Sequence, residues 1–201
     1  MTADLFARES GASQACARGT GRPRPRPTTT ASTGRSERRS DVDRRRRLCE
    51  QFDRTWTAFR ESYADLSQSI LLAPGVTKAW SIKDIIAHVT TWEEEALKHL
   101  PAILEGRKPP RYSVVYGGID AFNALMTAKK ANLSLAEVLE QQEQVHRRVV
   151  EVVERAPEDA LVPEARFRRR LRLDTYGHYP RHTAAIRQWR DRREASPVVE
   201  R

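Results

Sequence analysis

Trp80-Ser81-Ile82-Lys83-Asp84-Ile85-Ile86-Ala87-His88-Val89-Thr90-Thr91-Trp92 is the stretch that decides the fold. Ser81 and Asp84 stand at the spacing of a capping signature. The serine hydroxyl faces free amides, and the acid sits in the positive first turn of a helix. Behind the cap, Ile85, His88, Val89, Trp92 and Ala96 recur at spacings of three and four, the inner stripe of an amphipathic helix. Gly106 and Pro109-Pro110 end it.

Upstream, Leu48, Phe52, Trp56, Phe59 and Tyr63 form a second stripe. It predicts a helix over residues 40–66, capped by Ser40 or Asp41. Pro74-Gly75 closes the linker between the two helices. Downstream, residues 107–118 read as a loop holding Tyr112, Tyr116 and Gly117-Gly118, followed by a short helix over 120–131. Ser134-Leu135-Ala136-Glu137 is another capping box. It opens a helix with Leu135, Val138, Leu139, Val145, Val149, Val152 and Val153 that runs to Pro157. Residues 166–172 read as a basic connector. Asp174 reads as the cap of a last helix reaching about residue 193, with His178, His182, Ala185, Ile186 and Trp189 inward. Period-2 alternation is missing, so no sheet is expected. The pattern predicts an all-α four-helix bundle with a long crossover connection and a short extra helix. The bundle spans residues 41–195, between a disordered Arg/Pro-rich tail, 1–40, and a disordered C-terminus, 196–201.

Of the 201 residues 39% are hydrophobic and 31% charged, enough apolar matter for one core. The net charge of +9 invites a nucleic-acid reading. Residues 1–47 hold 12 arginines against 5 acids, whereas the other 154 residues carry 24 basic and 22 acidic side chains. The basicity therefore belongs to the tail, where Arg22-Pro23-Arg24-Pro25-Arg26-Pro27 alternates charge with helix breaker. Such a stretch cannot bury enough apolar surface to offset its ordering entropy. As a partner-binding element it would be a loose arm for a polyanion. No run of 18 apolar residues exists to span a membrane. The N-terminus lacks the apolar core of a secretory signal. Cys16 and Cys49 have no CxxC partner, so reduced thiols in a cytoplasmic protein are expected.

The chemistry rests on histidine. His178 and His182 are four apart, which stacks their rings on one helix face. His88 lies on the inward stripe between Ile85 and Trp92. If the two helices face each other, three neutral imidazoles converge, a set that suits Zn²⁺, Ni²⁺ or Fe²⁺ with one position left open. Such an ion acidifies water or polarises a thiol or carbonyl. The alternative is a set of packed histidines bonded to carbonyls or to Asp84. His99 and His146 lie among charged neighbours and read as surface residues. Trp80, Trp92, Tyr112 and Tyr116 are candidates to wall a pocket over the site, with Trp92 and Tyr116 put forward as substrate contacts. A phosphate-cradling Gly-rich loop, a GxSxG elbow and an HExxH pair are all missing.

Trp80 to His88, with Trp92-Glu93 after it, resembles the second-helix motif of DinB-like four-helix bundles. Thr175-Tyr176-Gly177-His178-Tyr179-Pro180-Arg181-His182, with Ile186-Arg187 and Trp189-Arg190, is similar to the last helix of the ClbS/DfsB branch. Gly117-Gly118-Ile119-Asp120-Ala121-Phe122-Asn123 matches that branch's connector. The likeness spans about residues 42–193. It implies a bundle in which the positions of His88, His178 and His182 hold a divalent metal. It also implies an enzyme acting on a small molecule, either a hydrolase or a thiol-dependent transferase. The branch's best-known activity is self-resistance by hydrolysis of the cyclopropane in colibactin, and the member that carries it has also been linked to DNA binding. Two further readings stand beside it: a non-enzymatic module binding DNA or a small molecule, and a homodimer that scaffolds partners.

Overall fold

The computed structural model describes the backbone of residues 33–41 and all of residues 42–195. Four long segments build the bundle. Helix α1, Thr33–Glu61, is followed by a single turn, α2, Gln68–Leu71, and then by α3, Ile82–Leu104. The crossover from α3 contains α4, Tyr112–Val115, and α5, Ile119–Lys130. Helix α6, Leu135–Arg155, leads through a 3₁₀ turn, Glu158–Leu161, into α7, Arg166–Asp174, and α8, Tyr179–Ala195. Helix α3 packs on α6, α7 and α5, and α1 packs on α8 and α6. The described residues form no strand.

The predicted caps position the helices. Ser81 Oγ accepts from the Asp84 amide at 3.2 Å, and Asp84 Oδ2 accepts from the Ser81 amide at 2.9 Å. The Ser134–Glu137 pair repeats this arrangement, with 3.2 and 2.7 Å. Each box satisfies two groups that a helix start would otherwise leave open. Lys83 Nζ donates to the carbonyls of Ala131 and Leu133, tying the first turn of α3 to the α5–α6 junction. The stripes of α1 and α6 are the core. Leu48, Phe52, Trp56, Phe59 and Tyr63 are buried, as are Val138, Val145, Val149 and Val153.

Three boundaries differ from expectation. Helix α1 begins at Thr33, so the helical backbone takes in residues 33–40 that composition assigned to the tail. Residues 1–32 and 196–201 lie outside the described residues. Four residues of the expected 107–118 loop close into α4. Residues 166–172 are helix α7 rather than a connector, and Asp174 ends that helix instead of capping the next one. Phe167 and Leu171 are buried beside it, and Asp174 is itself only 1% exposed. Its carboxylate is spent on Arg170, whose Nε lies 2.5 Å from Oδ2. The fourth leg of the bundle is therefore broken by the turn 175–178, and that break places His178.

Candidate metal centre and cavity

His88 lies in the second turn of α3, His178 closes the turn before α8, and His182 sits in the first turn of α8. The capping box fixes where α3 starts, and with it the height of His88. In α8, Tyr179, Thr183 and Ile186 face the core, which rotates His178 and His182 toward α3. The outcome is convergence. One ring nitrogen from each of His88, His178 and His182 lies within 4.8 Å of the other two. His178 Nε2 and His182 Nε2 are 2.9 Å apart. The His88 ring sits edge-on to both, at 5.1 and 5.0 Å between centroids. Asp84 is occupied by the Ser81 cap, so it does not partner these rings.

Burial and mutual proximity keep the three rings neutral, as a ligand set requires. Desolvation, with His182 adding to it, lowers the pKa of His88 to about 3. Desolvation and the neighbouring His182 and His88 lower that of His178 to about 2. Desolvation and Arg181 bring His182 to about 4. His178 Nδ1 is buried with no hydrogen-bond partner. Ligands at about 2.1 Å from one tetrahedral ion sit roughly 3.4 Å apart. His178 and His182 need to part by about half an ångström and His88 to close in by a little more than one at most to share one ion, and the donor set fits a divalent metal.

A consequence for stability follows. As pH falls from about 6.5 toward 4, an unfolded chain protonates these three imidazoles, while the folded chain resists until its depressed values are reached. The folded state binds fewer protons in that window, so these groups contribute stability above pH 6.5 that is lost on acidification. Asp174, raised by burial to about 7, works in the opposite sense and gains as pH falls. The histidine part is isolated by difference. Urea unfolding of metal-free protein should show wild type losing more stability between pH 6.5 and 4 than a His88→Gln/His178→Gln/His182→Gln variant. Parallel curves would refute the assignment.

The triad lines a cavity of about 730 Å³, large enough for a drug-sized ligand. Trp80 and Trp92 form aromatic walls, with Trp80 5.0 Å from the His88 ring. Trp92 contacts Tyr112 at 5.6 Å, Phe122 at 5.3 Å and His178 at 6.0 Å. Tyr116, expected as a wall, is not among the lining residues. It packs behind, against Tyr112 at 5.6 Å and Phe122 at 4.9 Å. Tyr112 takes its place because α4 turns that ring inward.

Polar residues of the cavity escaped the sequence reading. Arg170 donates from Nε to Asp174 and from Nη2 to the Tyr112 hydroxyl at 2.8 Å. That hydroxyl donates to Glu95 Oε2 at 2.6 Å. Asn123 also lines the cavity, and its Oδ1 is buried without a partner. The missed signal was the Phe167, Leu171, Asp174 spacing, which marks a helix through the arginine-rich segment. His99 and His146 are not surface residues. They are 5% and 8% exposed. His99 pairs with Glu95 at 3.0 Å, and His146 lies flat on Trp56, 3.7 Å between centroids, while binding Glu93 at 2.8 Å. His99 is held by an acid one turn away on its own helix, His146 by an acid 53 residues away in sequence.

No helix among the described residues is long and apolar enough to cross a membrane. No curated protein matches the chain. A solved structure described as an uncharacterised protein from Escherichia coli UTI89 shares 12% identity, with a TM-score of 0.61. The match covers 75% of this chain and 94% of that one, and it shows a common fold. The model of the DinB superfamily matches residues 51–189, a span that holds all three histidines and most of the cavity, and the chain belongs to that superfamily.

Proposed function

We propose that this chain is a metal-dependent enzyme of the ClbS/DfsB branch that opens small electrophilic compounds by hydrolysis, as a self-resistance function inside the cell. The observation that carries the reading is the convergence of His88, His178 and His182 at the wall of a cavity of about 730 Å³. These residues would hold Zn²⁺, Ni²⁺ or Fe²⁺, and a divalent ion there would supply Lewis acidity toward water, a carbonyl or a strained ring. The chain's own contribution is orientation and exclusion of water. Trp80 and Trp92 cover an apolar substrate body, and the Tyr112 hydroxyl, fixed between Arg170 and Glu95, presents a positioned dipole to the cavity.

The experiment has two parts. Protein purified without chelator is expected to carry about one divalent ion per chain by elemental analysis, as a three-imidazole site implies. It is then incubated with a panel of epoxides and activated cyclopropanes, with and without a low-molecular-weight thiol. Turnover without thiol, lost on chelation and restored by zinc, supports hydrolysis. Turnover only with thiol replaces hydrolysis by thiol transfer, and an absence of stoichiometric metal removes the catalytic reading.

A further inference from the structure

The charge around the cavity says what kind of compound enters it. Arg170 and Arg181 line the main cavity. Beside it lies a groove of about 440 Å³ lined by Arg169, Arg172 and again Arg181, and it shares His178 and Leu173 with the cavity. Against these four guanidinium groups the two linings hold one acid, Asp174. Arg170 is the partner of that acid. Among the described residues, Arg169, Arg172 and Arg181 form no ion pair. The two Arg170 bonds use Nε and Nη2, leaving Nη1 uncommitted. A guanidinium fork beside a low-dielectric wall binds planar oxyanions in two-point fashion. The same lining is otherwise largely apolar and aromatic, with Trp80, Trp92 and the exposed Leu173 and Ile119.

We infer that the cavity selects organic anions: a compound with an apolar or aromatic body that packs on Trp80 and Trp92, and an oxyanion head, of the carboxylate class, held by Arg170 and Arg181. Arg169 and Arg172 draw the anion toward the opening, raising its local concentration before it binds. Asn123 Oδ1 accepts from a hydroxyl or amide on the body. This deepens the reading above and rests on its assignment of the cavity as the substrate site. A long polyanion is the poorer fit, because the arginines ring a concavity that also has aromatic walls.

Quenching of tryptophan fluorescence tests the inference, since Trp80 and Trp92 stand in the cavity. The full chain is titrated with 4-phenylbutyrate and with its neutral amide, first metal-free and then with one equivalent of zinc. The acid should bind at least about tenfold more tightly than the amide in both states, as charge-assisted hydrogen bonds imply. Arg181→Gln, at an exposed position, should erase most of that preference by weakening the acid far more than the amide. Arg170→Lys, which keeps a cation beside Asp174, should weaken the acid several-fold. Equal affinity for acid and amide overturns the inference, as does a preference that appears only with zinc. Inorganic phosphate matching 4-phenylbutyrate would overturn the role of the aromatic wall. A short DNA duplex displacing the probe competitively would transfer the arginines to a polyanion and overturn it as well. A charge preference on a chain that binds no zinc would defeat the metal reading alone. Zinc binding without charge preference would defeat this inference alone.

Discussion

His178→Ala should bind zinc more than about 100-fold more weakly than the wild-type chain. Losing a group that merely supports a ligand costs roughly 10–100-fold in metal affinity; losing one of three ligands removes a bond to the ion itself. The remaining pair, His88 and His182, would then come from two different helices with no third point to fix them. The metal-free protein should tolerate the change. His178 lies in the 175–178 turn, partly exposed, and its Nδ1 is already buried without a partner. Alanine deletes that unsatisfied Nδ1 together with the Nε2 that lies 2.9 Å from His182 Nε2, so the cost should stay within about 1–3 kcal/mol. Competition against a zinc-binding dye gives the affinity. Thermal melts with and without zinc give the linkage: zinc should raise the wild-type midpoint, since a ligand that binds only the folded state stabilises it, and leave the variant unmoved. His99→Gln is the control, because His99 is committed to Glu95. A His178→Ala chain that keeps zinc with wild-type affinity would remove the proposed centre.

The triad was legible because its three members obey local rules. Capping and helical period locate His88, and a four-residue spacing pairs His178 with His182. Each rule depends on the chain within about two turns of the residue, where sequence is informative. The DinB-like motif then brings the two helices together, which periodicity by itself does not. The rest of the cavity was illegible for an equally physical reason. Arg170 reads as one more charge in an arginine-rich run, and only the burial of Phe167 and Leu171 on α3 and its neighbours makes that run a helix. Asp174 has the composition of a cap, but its carboxyl is committed to Arg170 in a buried pair, and the next helix starts only at Tyr179, five residues on. His146 and His99 failed similarly. A histidine among acids along the chain reads as solvated, yet Glu93 and Glu95 turn inward from α3 and take those rings with them. Long-range pairing of polar groups leaves no periodic trace.

Tyr179→Ala should cost about 4 kcal/mol or more of folding stability, the largest loss expected from a residue next to the site. The side chain is fully buried. Its ring stands among Phe52, Trp56 and Phe59, with centroids at 6.0, 5.5 and 6.1 Å. Truncating a buried aromatic typically costs 3–5 kcal/mol through lost transfer energy and the cavity left behind. The hydroxyl adds a second effect. It donates to Glu93 Oε1 at 2.5 Å, the same oxygen that binds His146 Nδ1. Glu93 is 0% exposed, and Oε2 has no partner, so burial already pushes its pKa up. Tyr179→Phe keeps the ring and removes that donor, which should cost roughly 1–3 kcal/mol because a buried carboxyl acceptor is left less satisfied. Glu93→Gln should recover part of this loss in the double variant, since a neutral amide has less hydration to surrender than a carboxylate. Urea unfolding of the four proteins completes the cycle. Additive losses for Tyr179→Phe and Glu93→Gln would break the network. A coupled outcome ties site to core: the contact that seats Tyr179 also sets the rotation of α8, and therefore the direction in which its neighbours His178 and His182 point.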